Sequence, residues 1–517
     1  MYAEGTRDRN LVAVIAALIG VNAFLFFLSR NQTYVHIDAI AHVNKARGLF
    51  DNFEPGLRNL GSVWLPLPHL LMAPFAAVDS LWRNGAAGSL LSVISFIGTS
   101  LFLFLTGTAW TGSRIAGWVA FMLFALNPRL IYFFTTPENE TLMILCATGL
   151  LYYLLRWAQH QQWQDLALAA FWAFAGTLTR YEGWALAAVA CVLVFAVTTT
   201  RRVAMTIVFT GAAVLGPLLW MLYNMFYFDD PLMFTYGIGS ALVNDTGKTF
   251  GTSGRLLESF LRYFIDVAYS VNPGVLWLAI GGMAYALFLM RHINWRPALV
   301  LIAGSAAIFG FYVLNLFTGN ISILLPGVVA NDPQSMYNVR YGTVMAATIP
   351  LFAALFIFII WLQVERRRAI ALLILTPLIL PDPIPAMSQE SIQQQFTNNL
   401  FYAEAIHNQR FWMPPFVEVS QKLEQDLDDS SLIMTNTRIV HVVVWVTGIP
   451  MRRFVTEMNE EVWARSFSKI DPRIRWVITE EGDQLWHGRG KWLQENWIEV
   501  DSKKGDVTGT VHLFRRP

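Results

Sequence analysis

Apolar segments of about 20 residues recur along this chain, and they limit its possible folds more than any other feature. A helix of that length crosses the hydrocarbon core of a bilayer, so each segment predicts a membrane span. We predict a mainly α fold with about eleven spans. The predicted spans lie at about 11–28, 86–109, 115–134, 141–157, 165–179, 184–200, 203–226, 274–290, 297–318, 343–363 and 369–380.

The composition agrees with a membrane protein. Of the 517 residues, 55% are hydrophobic and 14% are charged, whereas soluble domains carry about 25% charged residues. The net charge of +1 gives no support for nucleic-acid binding. We therefore expect the lipid bilayer, and no nucleic acid, among the partners.

Arginines mark one side of the predicted spans. If the N-terminus lies in the cytoplasm, every cytoplasmic loop carries arginine, as the positive-inside rule requires. The pattern therefore predicts a cytoplasmic N-terminus and an external C-terminal segment. The loop arginines are Arg7, Arg9, Arg114, Arg156, Arg201, Arg202, Arg291, Arg296 and Arg366 to Arg368.

Three external loops are long, at about 29–85, 227–273 and 319–342, and long loops often carry function. The apolar stretch 64–82 contains three prolines. It is either a further span or a helix lying on the membrane surface. We favour the surface helix, because a span there would export every arginine cluster that follows.

The composition becomes more polar from about residue 381. The segments SLIMTNT (431–437), HVVVWVTG (441–448), IRWVITE (474–480) and WIEVD (497–501) are typical of strands, and FVEVSQKLEQDL (416–427) is typical of a helix. We predict a transmembrane domain at 1–380 that contains the long loops, and a small extracytoplasmic α/β domain at 381–517.

Charged residues gather at the predicted external ends of the spans. In the first loop, Asp38, His42 and Lys45 are spaced i, i+4 and i+7, which predicts an amphipathic helix in the membrane interface. A helix whose charges simply face water is the alternative. His69 follows in the same loop.

Two glutamates, Glu138 and Glu140, lie in the predicted turn TTPENETL (135–142). They are either functional or part of a helix cap at Thr136 or Asn139, where acidic residues are favoured. Ionisable groups at a membrane boundary cost free energy and therefore call for an explanation.

Two further turns on the same predicted side carry arginine. Arg180 and Glu182 lie in LTRYEGWAL (178–186), and Arg340 and Tyr341 in SMYNVRYGTV (335–344). The first pair could simply bridge its turn, and Arg340 could reach lipid headgroups. Carboxylates and arginines on one membrane face suit a reaction of a phosphate-bearing lipid, because arginine binds phosphate oxygens bidentately.

These patches resemble the GT-C superfamily of polyprenyl-phosphate-sugar transferases, such as protein O-mannosyltransferases, bacterial aminoarabinose transferases and oligosaccharyltransferases. HIDAIAHVNKARGLF (36–50) resembles the acidic motif after the first helix, and WLPLPHLL (64–71) the proline segment that follows it. TTPENETLMI (135–144) stands where the family has its second acidic motif, and NVRYGTV (338–344) resembles its late Arg-Tyr. The chain departs from the family at Ala39, where many relatives have a second acid, and it lacks the W-W-D motif of oligosaccharyltransferases.

The resemblance implies a glycosyltransferase of the plasma membrane, the inner membrane in bacteria. It would transfer a sugar from a polyprenyl phosphate to a hydroxyl of a glycan, lipid or protein, by single displacement with inversion on the extracytoplasmic face. Asp38 and Glu138 would be catalytic, with Asp38 as the base, and a divalent metal ion remains an open cofactor. The predicted substrate-binding residues are His42, Lys45, His69, Glu140, Arg180, Glu182, Arg340 and Tyr341. A lipid-linked polysaccharide polymerase or ligase, or a transporter or flippase, is the alternative.

Overall fold

The computed structural model describes residues 2–237, 239–240, 251–292, 295–325, 336–363, 400–506 and 508–517. Within these ranges the chain is mainly helical, as predicted. The helices up to residue 240 are α1 (Tyr2–Leu28), α2 (Ile37–Arg47), α3 (Leu67–Ala76), α4 (Asp79–Arg83), α5 (Ala86–Thr111), α6 (Arg114–Ala125), α7 (Pro128–Phe133), α8 (Asn139–His160), α9 (Trp163–Thr177), α10 (Glu182–Val197), α11 (Arg202–Phe228) and α12 (Met233–Tyr236).

The later helices are α13 (Leu256–Val271), α14 (Pro273–His292), α15 (Trp295–Thr318), α16 (Ile349–Gln363), α17 (Leu400–Phe411), α18 (Pro414–Asp426), α19 (Thr437–Thr447), α20 (Glu460–Ser466) and α21 (Gln484–Asn496). Short 3₁₀ helices lie at Leu57–Leu60, Tyr341–Ala347 and Met451–Arg453. The strands are β1 (Leu432–Met434), β2 (Phe454–Val455), β3 (Ile474–Glu480), β4 (Ile498–Lys504) and β5 (Thr510–Arg515).

The chain divides into two compact units. The first contains residues 1–29, 62–68 and 89–403, and the second contains 30–61, 69–88 and 404–517. The second unit thus combines most of the first predicted external loop with the C-terminal segment. The predicted domain boundary at 380–381 lies outside the described residues.

Among the described residues, six helices are long and apolar enough to cross a membrane. The 3₁₀ helix Tyr341–Ala347 and α16 form a seventh candidate, bent by 48°. These helices confirm the predicted class, a multi-pass membrane protein. Helices α9 and α10, with 15 and 16 residues, are shorter than the roughly 17–25 residues of a typical span. The last predicted span, 369–380, lies outside the described residues.

The prediction of one continuous helix for the third span, 115–134, is wrong. It is broken into α6 and α7 at Asn127, whose side chain accepts a hydrogen bond from the Arg129 backbone N–H at 3.0 Å. Pro128 follows as the first residue of α7. Proline lacks the N–H that a continuing helix needs and is well suited to a first helical position.

Two predicted loops contain helices. The apolar stretch 64–82 forms α3 and α4, and α3 has ten residues. At 1.5 Å per residue it is about 15 Å long, too short to cross the hydrocarbon core. The predicted loop 227–273 contains α12 and the 16-residue α13.

In the first unit, the helices pack closely enough that glycine is required at contacts. A Cβ atom added at Gly282 of α14 would lie 1.9 Å from the backbone oxygen of Phe352 in α16. This distance is far below van der Waals contact. The two helices can therefore lie this close only because Gly282 has no side chain. The buried core around this contact includes Ala279, Ala286 and Phe352.

The second unit contains the predicted α/β part. Its five-stranded sheet has the order β2-β1-β3-β5-β4, with β2, β1 and β3 parallel and β5 antiparallel to both β3 and β4. Three of the four predicted strand segments and the predicted helix at 416–427 are confirmed. Met434, Val477 and Phe514 form part of the apolar layer under the sheet.

The strand prediction for the remaining segment, HVVVWVTG (441–448), is wrong. This segment is helical and belongs to α19. Asn436 caps this helix by accepting the Ile439 backbone N–H at 2.9 Å, and Gly448 ends it in the left-handed conformation. Three consecutive valines, Val442 to Val444, are buried on it. Burial and both caps override the strand preference of β-branched residues.

Candidate active site

Three charged turns of the first unit supply one buried cluster, which we call the charged cluster: Glu138, Glu140, Arg180, Glu182 and Arg340. Glu138 and Glu140 begin α8, Arg180 lies in the turn between α9 and α10, and Glu182 is the first residue of α10. Arg340 immediately precedes the 3₁₀ helix Tyr341–Ala347. Each charge therefore lies at a helix end, where the chain leaves the apolar spans.

The structure brings the predicted residues of this unit into direct contact. Arg340 Nε donates to Glu140 Oε1 at 2.9 Å and lies 3.7 Å from Glu138 Oε2. Arg180 Nη1 lies 3.1 Å from the same oxygen of Glu140, and its Nε donates to Glu182 Oε1 at 2.6 Å. Glu140 thus joins two arginines that are 160 residues apart in the sequence.

Both glutamates lie at the N-terminal end of α8, as the capping alternative predicted, but their contacts with arginine go beyond capping. Glu138 stands at the N-cap position of α8 without a side-chain capping hydrogen bond, and Glu140 binds arginine instead. The predicted bridge between Arg180 and Glu182 is present, but Arg180 also contacts Glu140. The pair is therefore part of a larger network.

Burial makes this network electrostatically strong. The side chains of Glu138 and Glu140 are fully buried, and that of Glu182 is 2% exposed. Three carboxylates face two guanidinium groups, and carboxylates this deep are rare unless they are paired. Arg180 keeps 18% of its side chain exposed against 6% for Arg340. Of the two arginines, Arg180 is the more open to a ligand.

Tyrosines that the sequence did not single out complete the cluster. The Tyr312 hydroxyl donates to Glu182 Oε1 at 2.9 Å, and the Tyr263 hydroxyl donates to the Tyr341 backbone oxygen at 3.2 Å. The rings of Tyr263 and Tyr312 stack with centroids 4.8 Å apart. Both guanidinium groups lie over the Tyr341 ring, Arg180 at 5.4 Å and Arg340 at 5.3 Å. Tyr341, predicted to bind substrate, therefore supports both arginines.

Asp38 lies in the second unit, in the first turn of α2. Its backbone N–H donates to His36 Nδ1 at 3.3 Å, and His36 Nε2 lies 3.6 Å from Glu404 Oε1. Because Nδ1 accepts, the ring proton of a neutral His36 is on Nε2, facing Glu404. The Asp38 side chain is half-buried. Neither His36 nor Glu404 was predicted, because only the fold brings them together.

The rest of α2 differs from the amphipathic helix at the membrane interface that the spacing of Asp38, His42 and Lys45 predicted. Eight of its eleven residues are buried, including His42 and Asn44. His42 Nδ1 lies 3.0 Å from His69 Nε2, so the structure brings these two predicted residues together. One ring must donate and the other accept. This helix packs within the second unit, and its polar residues serve internal contacts as well as any ligand.

Lys45 lines a cleft between α2 and α19 whose walls also include Asn44 and His441. Its Nζ donates to the Leu60 backbone oxygen at 3.3 Å. Burial lowers the pKa of Lys45 to about 8, although the nearby Glu457 raises it. Burial, together with Lys45, lowers the pKa of His441 to about 3, so this histidine is neutral at physiological pH.

A divalent metal ion stays an open prediction for this protein. Within the described ranges, no three His, Cys, Asp or Glu side chains are arranged to hold a metal ion. The carboxylates of Glu138 and Glu140 face arginine, and a cation between them would be repelled by the guanidinium groups.

Part of the sequence matches the model of a known family. Residues 66–223 fit the model of the dolichyl-phosphate-mannose-protein mannosyltransferases, a stretch that contains Glu138, Glu140, Arg180 and Glu182. No curated protein matches the sequence.

Solved structures are similar over nearly the whole chain. ArnT from Cupriavidus metallidurans, in its crystal structure bound to undecaprenyl phosphate, has a TM-score of 0.56 and 12% identity, covering 96% of this chain and 97% of ArnT. The apo state of the same protein gives a TM-score of 0.54 and 13% identity, with 99% and 98% covered. This chain has the GT-C fold. The resemblance inferred from its short motifs is thereby confirmed, and the charged cluster is a feature of a GT-C helical domain.

Proposed function

We propose that this protein is an integral membrane glycosyltransferase that moves a sugar from a polyprenyl phosphate to a hydroxyl acceptor on the extracytoplasmic face. The observation that carries the proposal is the buried charged cluster at the helix ends of a GT-C fold. The polyprenyl donor is supported by ArnT, whose crystal structure contains undecaprenyl phosphate. The match to the mannosyltransferase family supports sugar transfer.

The proposed reaction is a single displacement. The acceptor oxygen attacks the anomeric carbon as the bond from that carbon to the donor phosphate oxygen breaks. The acceptor proton passes to the Asp38 carboxylate, and the lipid phosphate leaves with the bonding electrons. A half-buried carboxylate suits this role, because a base must reach the acceptor and remain partly shielded from water. Attack opposite to the leaving group inverts the anomeric configuration.

The departing phosphate gains negative charge, which the protein must stabilise. Arg180 is the better placed of the two arginines, because it is more exposed and because its planar group binds phosphate oxygens bidentately. Arg340 contacts Glu140 and Glu138, and its side chain is only 6% exposed. We assign to Arg340 the positioning of these carboxylates and a supporting positive charge beside the phosphate.

Removal of Arg180 tests this assignment. In Arg180→Ala, turnover of a radiolabelled polyprenyl-phosphate sugar by purified protein should fall by roughly 10²–10³, the usual loss for one transition-state donor. Arg180→Lys should recover only part of the rate, because it keeps the charge but loses the planar fork. Arg340→Ala should also reduce turnover, with a loss of thermal stability because Glu140 and Glu138 lose a partner.

The matched control is Arg156→Ala, at the other end of α8. Arg156 likewise forms an ion pair, with Asp165 at 2.9 Å, but it is 40% exposed and lies at the predicted cytoplasmic end. The turnover of the Arg156→Ala protein should equal the wild-type value. Wild-type turnover in folded Arg180→Ala would exclude Arg180 from donor binding. If cells with and without the protein have identical envelope glycans and lipids by mass spectrometry, glycosyl transfer itself is rejected.

A further inference from the structure

Helix α13 buries its polar face and exposes its apolar face, which is the opposite of the arrangement in a water-soluble protein. Its residues Ser259, Arg262, Asp266 and Ser270 share one face and are 0%, 4%, 0% and 6% exposed. The opposite face carries Leu256, Leu257, Phe260 and Leu261, which are 60%, 72%, 44% and 46% exposed. Exposed apolar surface of this extent marks contact with another protein or with a membrane.

The buried polar face is firmly held. Arg262 donates to Glu258 Oε1 at 2.8 Å and to the Ile323 backbone oxygen at 3.4 Å. Tyr263 donates to the backbone oxygen of Tyr341, the residue after Arg340. A Cβ atom added at Gly342 would lie 2.6 Å from the Asp266 backbone oxygen, so α13 packs directly on the segment that carries Arg340. The apolar face therefore cannot turn inward without breaking these contacts.

The neighbouring elements indicate which environment covers the apolar face. Only Asn272 separates α13 from α14, which is a candidate span. The candidate span α11 exposes the same kinds of side chain, with Leu222 at 64% and Phe226 at 77%. The apolar face of α13 lies next in sequence to a membrane-crossing helix, and lipid hydrocarbon is the medium that covers such helices.

We infer that α13 is a membrane-inserted helix whose apolar face contacts lipid hydrocarbon and whose polar face supports the Arg340–Tyr341 segment. It has only 16 residues, about 24 Å at 1.5 Å per residue, so it lies at the external edge of the membrane without crossing it. This arrangement brings hydrocarbon next to the charged cluster. A helix in this position would contact lipid whether or not the protein transfers sugar.

Spin labels on the purified full-length protein in phosphatidylcholine vesicles test the inference. The native Cys146 and Cys191 are replaced by alanine, and labels are attached in Leu257→Cys and Leu261→Cys. Leu222→Cys on α11 serves as the hydrocarbon reference. The exposed Gln425→Cys on α18 serves as the water reference. Collision with oxygen, which is soluble in lipid, is compared with collision with a polar nickel complex.

We expect both leucine sites to resemble Leu222→Cys, with nickel collision roughly tenfold lower than at Gln425→Cys, because a polar solute is excluded from hydrocarbon. Nickel collision at the level of Gln425→Cys would overturn the inference. Since both leucine side chains are exposed, their replacement removes few internal contacts. A labelled variant that is not monodisperse is replaced by Leu256→Cys, which is also on the apolar face.

Discussion

At the scale of single residues, burial and pairing distinguish the predicted site residues from one another. Glu140 has both arginines of the charged cluster as partners, and its side chain is fully buried. Loss of one partner of such a pair is costly, because the other charge stays buried without compensation. Asp38 is different, since it is half-buried at the start of a helix. Its carboxylate can therefore be changed with less damage to the fold.

Asp38→Asn tests the proposed base. The amide keeps the shape of the carboxylate but cannot take up the acceptor proton, so turnover should fall by roughly 10²–10⁴, the usual contribution of a general base. Thermal stability and donor binding should remain close to wild type. The measurement is transfer of labelled sugar by purified protein, together with its melting temperature.

The matched control for Asp38 is Asp79→Asn in the same unit. Asp79 is 64% exposed and lies 2.7 Å from Arg47, which also pairs with Asp51 at 3.1 Å, so Arg47 keeps a carboxylate partner when the Asp79 charge is removed. Its turnover should be unchanged. A folded Asp38→Asn protein that transfers sugar at the wild-type rate would show that another group is the base.

At the scale of elements, helix contacts in the first unit depend on glycines whose importance is not visible in the sequence. Gly282 on α14 and Gly310 on α15 both lie within long apolar helices. A Cβ atom at Gly282 would meet the Phe352 backbone, whereas a Cβ atom at Gly310 would meet nothing within 4 Å. The same substitution should therefore have opposite effects at the two positions.

Gly282→Ala should destabilise the protein, and Gly310→Ala should not. Overpacking typically costs about 1–3 kcal/mol, and here the clash is with backbone, which cannot rotate away. Alanine in place of glycine within a helix otherwise contributes about 1 kcal/mol, so Gly310→Ala should keep or raise the melting temperature. Thermal unfolding of both variants in one detergent gives the comparison. Equal melting temperatures would contradict the close packing of α14 on α16.

At the scale of the whole molecule, the orientation of the spans decides which solvent each charged turn meets. The arginine pattern predicts the turn between α8 and α9 in the cytoplasm and the second unit outside. The turns that carry Glu138, Arg180 and Arg340 would then open on the external side. The proposed reaction requires this arrangement, because its donor and acceptor meet there.

Two cysteine variants test the orientation in a background without native cysteines. Ser502→Cys on β4 and Gln162→Cys before α9 are both at exposed positions. In intact cells, a membrane-impermeant maleimide should label Ser502→Cys, while Gln162→Cys should react only after permeabilisation. The reverse pattern would invert the topology and move the charged cluster to the cytoplasmic side.

The sequence by itself determined the class of protein and most of the candidate residues. Long apolar segments identify spans, because a bilayer requires continuous helices of a given length. Charges that remain at span ends stand out, since they are costly there without a function or a partner. Glu138, Glu140, Arg180 and Arg340 could therefore be found without a structure, and the order of short motifs identified the GT-C resemblance.

Only the tertiary structure decided which residues meet and how deeply they lie. Glu140 pairs with Arg340 across 200 positions, and no local pattern encodes such a contact. The valine-rich segment of α19 predicts a strand, but its two caps and its burial outweigh this local preference and make it helical. Helix α2 has the spacing of a surface helix but is largely buried. Helix α13 lies in a predicted loop because its charges lower its hydropathy, although the fold buries them and exposes its leucines.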